Sequence, residues 1–207
     1  MNNSTITLAT RVSDGIKAGV NRHWRYTKDL IKVKPEYLLT VSVADEITKG
    51  FSNIHGIDIE IKLEEPTQLI IGNLLIKALG MKDYFKTERP VIDRDGKVDI
   101  FLEASDERHI VEIKNFDTSA TEFKKEVIRL QQLLAVNGWK NPLLSCNVAF
   151  PTIRNSKEWI NKHLETVLMP DDVSAIPNVE YIETGEEPED GIPAFYVNVV
   201  TLEKKNA

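Results

Sequence analysis

Three charged residues in the middle of the chain have the types and spacing needed to hold a metal ion. Asp99 lies in one mainly apolar stretch, and Glu112 and Lys114 lie in the next. Two carboxylates can share one hard divalent cation through oxygen contacts of about 2.0–2.6 Å. An ammonium group beside them can stabilise negative charge that develops on a bound substrate. The three residues are therefore candidates for one site, provided that the fold brings them together.

The two apolar stretches predict a β-hairpin, and its turn indicates the strand register. The predicted strands are 97–103 and 109–116. Pairing Asp99 with Glu112 places the midpoint of the hairpin between Ser105 and Asp106, where the polar turn residues lie. Directly opposed residues have Cβ atoms about 4.5–5.5 Å apart. Lys114 follows Glu112 by two positions and so points to the same face of the sheet.

The strand neighbours of these charged residues are mostly apolar, which predicts that protein covers both faces of the hairpin. Burial of an unpaired carboxylate is costly, so such groups are kept where they pair, bind a metal or take part in a reaction. One interpretation is a buried ion pair between Lys114 and one acid, which leaves the other acid uncompensated. A divalent cation on Asp99 and Glu112 balances the charge better, and we prefer it.

The elements around the hairpin predict a mixed β-sheet flanked by helices, an α/β fold. The clearest helix, at about 120–137, has an apolar stripe at Phe123, Val127, Leu130 and Leu134. Other helices are predicted at 14–32, 36–50, 66–79 and 155–168, other strands at 57–63, 143–150 and 194–202, and a loop-rich excursion at 171–192. We expect residues 1–52 to form an N-terminal helical extension and residues 53–207 an α/β domain, with one compact domain as the alternative.

The chain resembles the PD-(D/E)XK nucleases, the restriction-endonuclease-like superfamily, over about residues 57–151. The resemblance rests on Asp99, followed after twelve residues by Glu112-Ile113-Lys114, and on an α-β-β-β-α-β order of predicted elements. It implies that Asp99, Glu112 and the carbonyl of Ile113 bind Mg²⁺, for which Mn²⁺ can substitute. It also implies that Lys114 positions or deprotonates the water that attacks a phosphodiester bond.

The resemblance further suggests two accessory positions. An acid on the helix before the hairpin is expected at Glu65, with Glu64 as the alternative, and a glutamine on the following helix is expected at Gln131. The sequence also departs from the family, because Val98 stands where strict members have proline. The tyrosine that exonuclease-type members carry four residues after the glutamine is missing, which disfavours that subgroup.

Charge is unevenly distributed along the chain. The net charge is -6, yet residues 171–190 contain eight acids and no base, and residues 11–34 carry a net charge of +5. A basic region of this kind can bind nucleic acid despite an acidic total. The candidate contacts with DNA phosphates are Arg22, Arg25, Lys124 and Lys125. The alternative is that these side chains are ordinary solvated surface residues.

Together with the three charged residues, the resemblance implies a Mg²⁺-dependent DNA endonuclease of a restriction or phage-defence type. The alternative is a catalytically inactive protein of the same fold that acts as a nucleic-acid-binding or protein-interaction subunit. In that case the acidic segment 171–190 would dock a protein partner. The sequence also leaves open whether the protein forms a homodimer.

Composition limits the remaining classes of protein. The hydrophobic fraction of 42% and charged fraction of 28% are ordinary for a globular chain and exclude a disordered or collagen-like protein. Cys146, the single cysteine, cannot form an internal disulfide. We find no signal peptide and no apolar stretch long enough to span a bilayer, and we therefore expect a cytoplasmic protein with no membrane partner.

Overall fold

The computed structural model describes residues 3–28, 36–55, 59–79, 96–104, 107–135, 143–183 and 194–205. Within these ranges the chain forms five α-helices and six β-strands, a mixed α/β arrangement. The helices are α1 (Asn3–Thr27), α2 (Glu36–His55), α3 (Thr67–Leu79), α4 (Ala120–Ala135) and α5 (Lys157–Leu164). The strands are β1 (Ile59–Pro66), β2 (Lys97–Ala104), β3 (Glu107–Ile113), β4 (Leu143–Thr152), β5 (Val173–Ile182) and β6 (Phe195–Lys204).

The six strands form one mixed sheet in the order β1-β2-β3-β4-β6-β5. β3 and β4 are parallel, and every other neighbouring pair is antiparallel. Parallel neighbours need a crossover connection, and α4 lies in the connection between β3 and β4. The end of β3 and the end of β4 therefore lie at the same edge of the sheet.

The predicted register of the central hairpin is confirmed. Ile100 pairs with Val111, and one further step in the same register places Asp99 opposite Glu112. The turn at 105–106 lies outside the described residues. The register nevertheless follows from the two strands, because a slip by one residue would exchange their buried faces.

Helices cover both faces of this sheet. On one face α1 and α2 enclose a core with the strands that includes Val12, Ile16, Leu39, Ile100, Val111 and Val199. On the other face α3, α4 and α5 enclose a core that includes Ile71, Phe101, Ile110, Phe123, Val148 and Ile160. Burial of apolar surface drives both contacts. The two helices predicted as an extension thus share a core with the sheet.

The helices α1 and α2 form an antiparallel pair that approaches closely at two glycines. A Cβ atom at Gly15 would collide with the backbone of Val43, and one at Gly19 would lie 2.8 Å from a methyl group of Leu39. Gly15 faces Val43 and Gly19 faces Leu39, so the two helices run in opposite directions. This pairing places the C-terminal turn of α1 beside the first turn of α2.

The prediction of a loop-rich excursion over 171–192 is wrong for Val173–Ile182, which form β5. Pro177 reduces the strand signal of this segment, but β5 is an edge strand, where proline is tolerated. The helix α1 also begins well before residue 14, whereas α5 is shorter than predicted. Among the described helices, none is both long enough and apolar enough to cross a membrane.

Candidate functional site

The two acids of the hairpin meet near one end of the sheet. Asp99 lies near the start of β2 and Glu112 near the end of β3, on the face that α4 covers. The backbone N–H of Ile113 donates a hydrogen bond to Oδ2 of Asp99 at 2.7 Å. The carboxyl groups of Asp99 and Glu112 lie close enough for the charge of Asp99 to raise the pKa of Glu112. The structure therefore brings together the two carboxylates that the sequence predicts to converge.

Lys114 lies directly beyond β3, among three carboxylates from three different elements. Its backbone N–H donates to the carbonyl of Ala149 at 2.8 Å, which fixes the chain against β4. Its Nζ atom lies 3.5 Å from carboxylate oxygens of Glu112 on β3, Glu126 on α4 and Glu36 on α2. The ammonium group is thus the centre of a charged cluster at the end of the sheet.

Glu36 is an acid of this cluster that the sequence analysis does not identify. It is the first residue of α2, and it reaches Lys114 although the two are far apart in the chain. Glu65, the predicted accessory acid, lies in β1 opposite Val98. Glu64 forms an exposed ion pair with Lys97 at 3.1 Å. The helix acids beside Lys114 are thus Glu36 on α2 and Glu126 on α4.

A buried arginine on α4 also belongs to the cluster. The guanidinium group of Arg129 contacts the carboxylate of Glu112, and its Nε atom lies 2.9 Å from Oε2 of Glu126. It also donates to the backbone carbonyl of Lys97 at 3.2 Å. Gln131, the residue predicted to reach the site from this helix, instead donates to the sulfur of Met169.

We call these six groups the hairpin cluster. Its members are Asp99, Glu112, Glu126, Glu36, Lys114 and Arg129. Four are acids and two are bases, so the cluster has two negative charges in excess when every group is ionised. Glu112, Glu126 and Arg129 are almost completely buried. An excess of buried negative charge favours uptake of a proton or of a further cation.

The pKa values of the acids reflect this crowding. Burial, with the nearby charge of Asp99, raises the pKa of Glu112 to about 8, although Arg129 and Lys114 oppose the shift. Burial also raises the pKa of Asp99, against the hydrogen bond from Ile113. The pKa of Glu36 is raised for the same reason, desolvation. Without a further cation, Glu112 is therefore largely protonated at neutral pH.

Lys114 behaves in the opposite way. Burial alone would lower its pKa, but the surrounding carboxylates, Glu112 foremost, outweigh desolvation and raise it. The side chain is thus an ammonium ion at neutral pH. In this state it can orient a water molecule and stabilise developing negative charge, whereas it cannot accept a proton.

The donor set of the cluster suits a hard divalent cation. In the described part of the chain, no group of three or more His, Cys, Asp or Glu side chains forms a preformed metal cage. Mg²⁺ does not need one, because it is usually bound through one or two carboxylates and keeps several waters. Asp99 and Glu112 supply two carboxylates. Ile113, whose carbonyl is the third candidate ligand, directly follows Glu112 in the chain, and its N–H contacts Asp99.

The candidate phosphate contacts lie on two helices. Arg22 and Arg25 are exposed on the last turns of α1, which lie beside the first turn of α2 and hence near Glu36. On α4, Lys125 is exposed, whereas Lys124 is half-buried. Burial lowers the pKa of His163 on α5, and the nearby positive charge of Lys124 lowers it further. Positive charge therefore flanks the cluster on the α1 side.

The acidic segment 171–190 is partly used inside the protein. Glu180 on β5 lies 2.5 Å from the Nζ atom of Lys17 and accepts a hydrogen bond from the hydroxyl of Ser13 at 2.6 Å. Both partners are on α1. Burial alone would raise the pKa of Glu180. The contacts with Lys17 and Ser13 outweigh burial and lower this pKa. Residues 184–190 of the segment lie outside the described ranges.

The hairpin cluster thus has two strand carboxylates, a protonated lysine held by two helix acids, and an arginine against one of the carboxylates. Comparisons of the chain with models of known protein families, with curated proteins and with solved structures find no match.

Proposed function

We propose that the protein is a Mg²⁺-dependent nuclease that hydrolyses phosphodiester bonds, with DNA as its substrate. One observation carries the proposal: Asp99 and Glu112 meet across neighbouring strands with the ammonium group of Lys114 beside them. The strand order adds support, because three antiparallel strands are followed by a crossover helix and a parallel strand, the arrangement of a restriction-endonuclease-like fold. A restriction or phage-defence role follows from that resemblance alone.

Each residue of the hairpin cluster has a separate role in this proposal. Asp99, Glu112 and the Ile113 carbonyl would hold the cation, which polarises a phosphoryl oxygen and lowers the pKa of bound water. Lys114 orients the attacking water and stabilises charge on the scissile phosphate. Glu36 and Glu126 hold the lysine in place from opposite faces of the sheet.

Arg129 supports a rival proposal. Its guanidinium group already contacts Glu112, so a protein without catalytic activity could use this arginine where a nuclease uses a metal. Such a protein would serve as a nucleic-acid-binding or protein-interaction subunit. Even with Glu112 protonated, Arg129 and Lys114 compensate only two of the other three acids when those are ionised. The remaining negative charge weighs against this rival.

Divalent-metal binding tests the proposal directly. We expect the protein to bind one Mn²⁺ per chain, measured by electron paramagnetic resonance of free Mn²⁺. We expect the Asp99→Ala variant to bind at least about tenfold more weakly, because it loses one of two carboxylate ligands. Plasmid, linear and single-stranded DNA and RNA, each incubated with Mg²⁺, give the corresponding test of cleavage.

A matched control separates loss of a ligand from loss of charge. Asp14 lies on α1, where it pairs with Lys17 and Arg11 outside the cluster. The Asp14→Ala variant removes the same charge and should bind Mn²⁺ like the unmodified chain. Equal Mn²⁺ affinity in the Asp99→Ala and unmodified proteins would contradict the proposed site and favour the inactive subunit.

Metal affinity should depend strongly on pH. The carboxylate form of Glu112 binds the cation, and its pKa is about 8 in the absence of metal. Below that pH a proton must leave before the metal binds, so affinity should fall by up to about tenfold per pH unit as the pH decreases. Mn²⁺ titrations at several pH values below and above this pKa measure the slope. The Glu112→Gln variant should bind weakly with little pH dependence, and a flat profile for the unmodified protein would exclude Glu112 as a ligand.

A further inference from the structure

A pocket lies beyond Lys114 on the same face of the sheet. It has a volume of about 110 Å³ and opens to solvent between the segment that follows β3, the end of β4 and the start of α5. The segment is tied to β4 at two points, through the N–H of Lys114 to Ala149 and the N–H of Asp117 to Pro151. The segment that begins at Lys114 therefore connects the hairpin cluster to the wall of the pocket.

The distance between the two sites follows from the strand register. Glu112 pairs with Val148, and Thr152 at the pocket lies four residues further along β4 on the same face. At about 3.3 Å per residue this separation is roughly 13 Å. A nucleic-acid strand that ran from the cluster toward the pocket would cover this distance within a few nucleotides.

The walls of the pocket combine apolar and polar surfaces. Phe150 and Trp159 line one side, with their rings nearly perpendicular and 6.0 Å apart between centroids. Thr118 and Asn155 place hydrogen-bonding groups around it. Arg154, also in the lining, is exposed and makes no ion pair with any described residue. An aromatic ring system with polar edges and an attached anion fits these walls.

Internal hydrogen bonds hold the pocket in shape. The hydroxyl of Thr152 donates to the carboxylate of Asp117 and accepts the backbone N–H of Arg154 at 3.2 Å. Asp117 has a φ of 54°, a left-handed conformation that is uncommon outside glycine. Ser156 hydrogen-bonds Asn198 on β6 behind the pocket. A preformed pocket loses little entropy when a ligand binds.

We infer that this pocket binds one nucleotide of the substrate strand, with its base against Trp159 and its phosphate against Arg154. The inference rests on the proposed nuclease function for the identity of the strand. The pocket gives the protein a means to select a base or an unpaired nucleotide at a fixed distance from the cut.

Nucleotide binding can be measured without cleavage. In EDTA, the unmodified protein is titrated with deoxynucleoside monophosphates, and the indole N–H signal of Trp159 is followed by NMR after assignment with Trp159→Phe. Deoxyribose 5-phosphate, which lacks the base, should bind about tenfold more weakly because it loses the aromatic contact. The Arg154→Ala variant should also bind nucleotides about tenfold more weakly, because it loses the phosphate contact.

The matched control is Lys157→Ala. Lys157 is an exposed cation at the first position of α5 that does not line the pocket. Its loss should change nucleotide affinity less than about twofold. Equal effects of Arg154→Ala and Lys157→Ala, or equal affinity for the sugar phosphate and the nucleotide, would overturn the pocket while leaving cleavage intact. Nucleotide binding at Trp159 without any Mg²⁺-dependent cleavage would instead keep the pocket and overturn the nuclease.

Discussion

Replacement of Lys114 by alanine is expected to slow phosphodiester cleavage by at least about 100-fold while leaving Mn²⁺ binding in place. The ammonium group stabilises charge that develops in the transition state, and groups of this kind contribute about 10²–10³ to the rate. The proposed metal ligands, Asp99 and Glu112, are not removed by this change. Single-turnover cleavage of labelled DNA in Mg²⁺ measures the rate, and Mn²⁺ titration measures the retained site.

The control for this variant is Lys97→Ala. Lys97 is an exposed lysine on β2 whose side chain pairs with Glu64 outside the hairpin cluster. It should cut DNA at the rate of the unmodified protein. Thermal unfolding of Lys114→Ala shows whether the fold is retained. A folded Lys114→Ala protein that cuts DNA as fast as Lys97→Ala would remove Lys114 from the mechanism.

Replacement of Arg129 by methionine is expected to destabilise the metal-free protein by about 3–5 kcal/mol at neutral pH. Methionine fills a similar volume but leaves Glu112 and Glu126 buried without the guanidinium group that contacts both. Chemical unfolding monitored by circular dichroism measures the loss. Mg²⁺ should restore part of the stability, because a cation on Asp99 and Glu112 would compensate one of the two carboxylates that lose Arg129.

The loss should also be smaller at acidic pH. The pKa of Glu112 is already raised in the folded protein, and removal of Arg129 would raise it further. A raised carboxyl pKa means that the folded state holds more protons than the unfolded one, so stability is kept at low pH and is lost as the pH rises through the folded pKa. Arg11→Met, at a partly exposed pair with Asp14, should cost about 0–1 kcal/mol with no such pH dependence. A uniform loss at all pH values in Arg129→Met would indicate packing rather than charge.

The hairpin and its register could be predicted because the information is local. The polar turn lies midway between two apolar stretches and so determines which residues pair. The alternation of side chains along each strand then determines which residues share a face. Asp99, Glu112 and Lys114 all lie within this one unit. Their convergence therefore depended on a short segment of chain rather than on the arrangement of the whole fold.

The remaining members of the hairpin cluster could not be predicted in the same way. Glu36 comes from a helix that is distant in the chain, and its position depends on how α2 packs on the sheet. Arg129 and Glu126 lie on α4, where the apolar stripe at Phe123 and Val127 predicts the buried face but not which polar residues border it. Arg129 does lie three residues after Glu126, a spacing that favours an ion pair on one helix face.

The structure also limits how far the chain can be shortened. The carboxylate of Glu36 approaches Lys114 from the layer of α1 and α2, and that of Glu126 approaches it from the layer of α4. A fragment beginning at residue 53 would keep the strand acids but lose Glu36, one of the two helix acids that contact Lys114. It would also lose the helices that cover one face of the sheet. The first two helices are therefore part of the smallest unit that could be expected to work, and not an appendage that can be trimmed away.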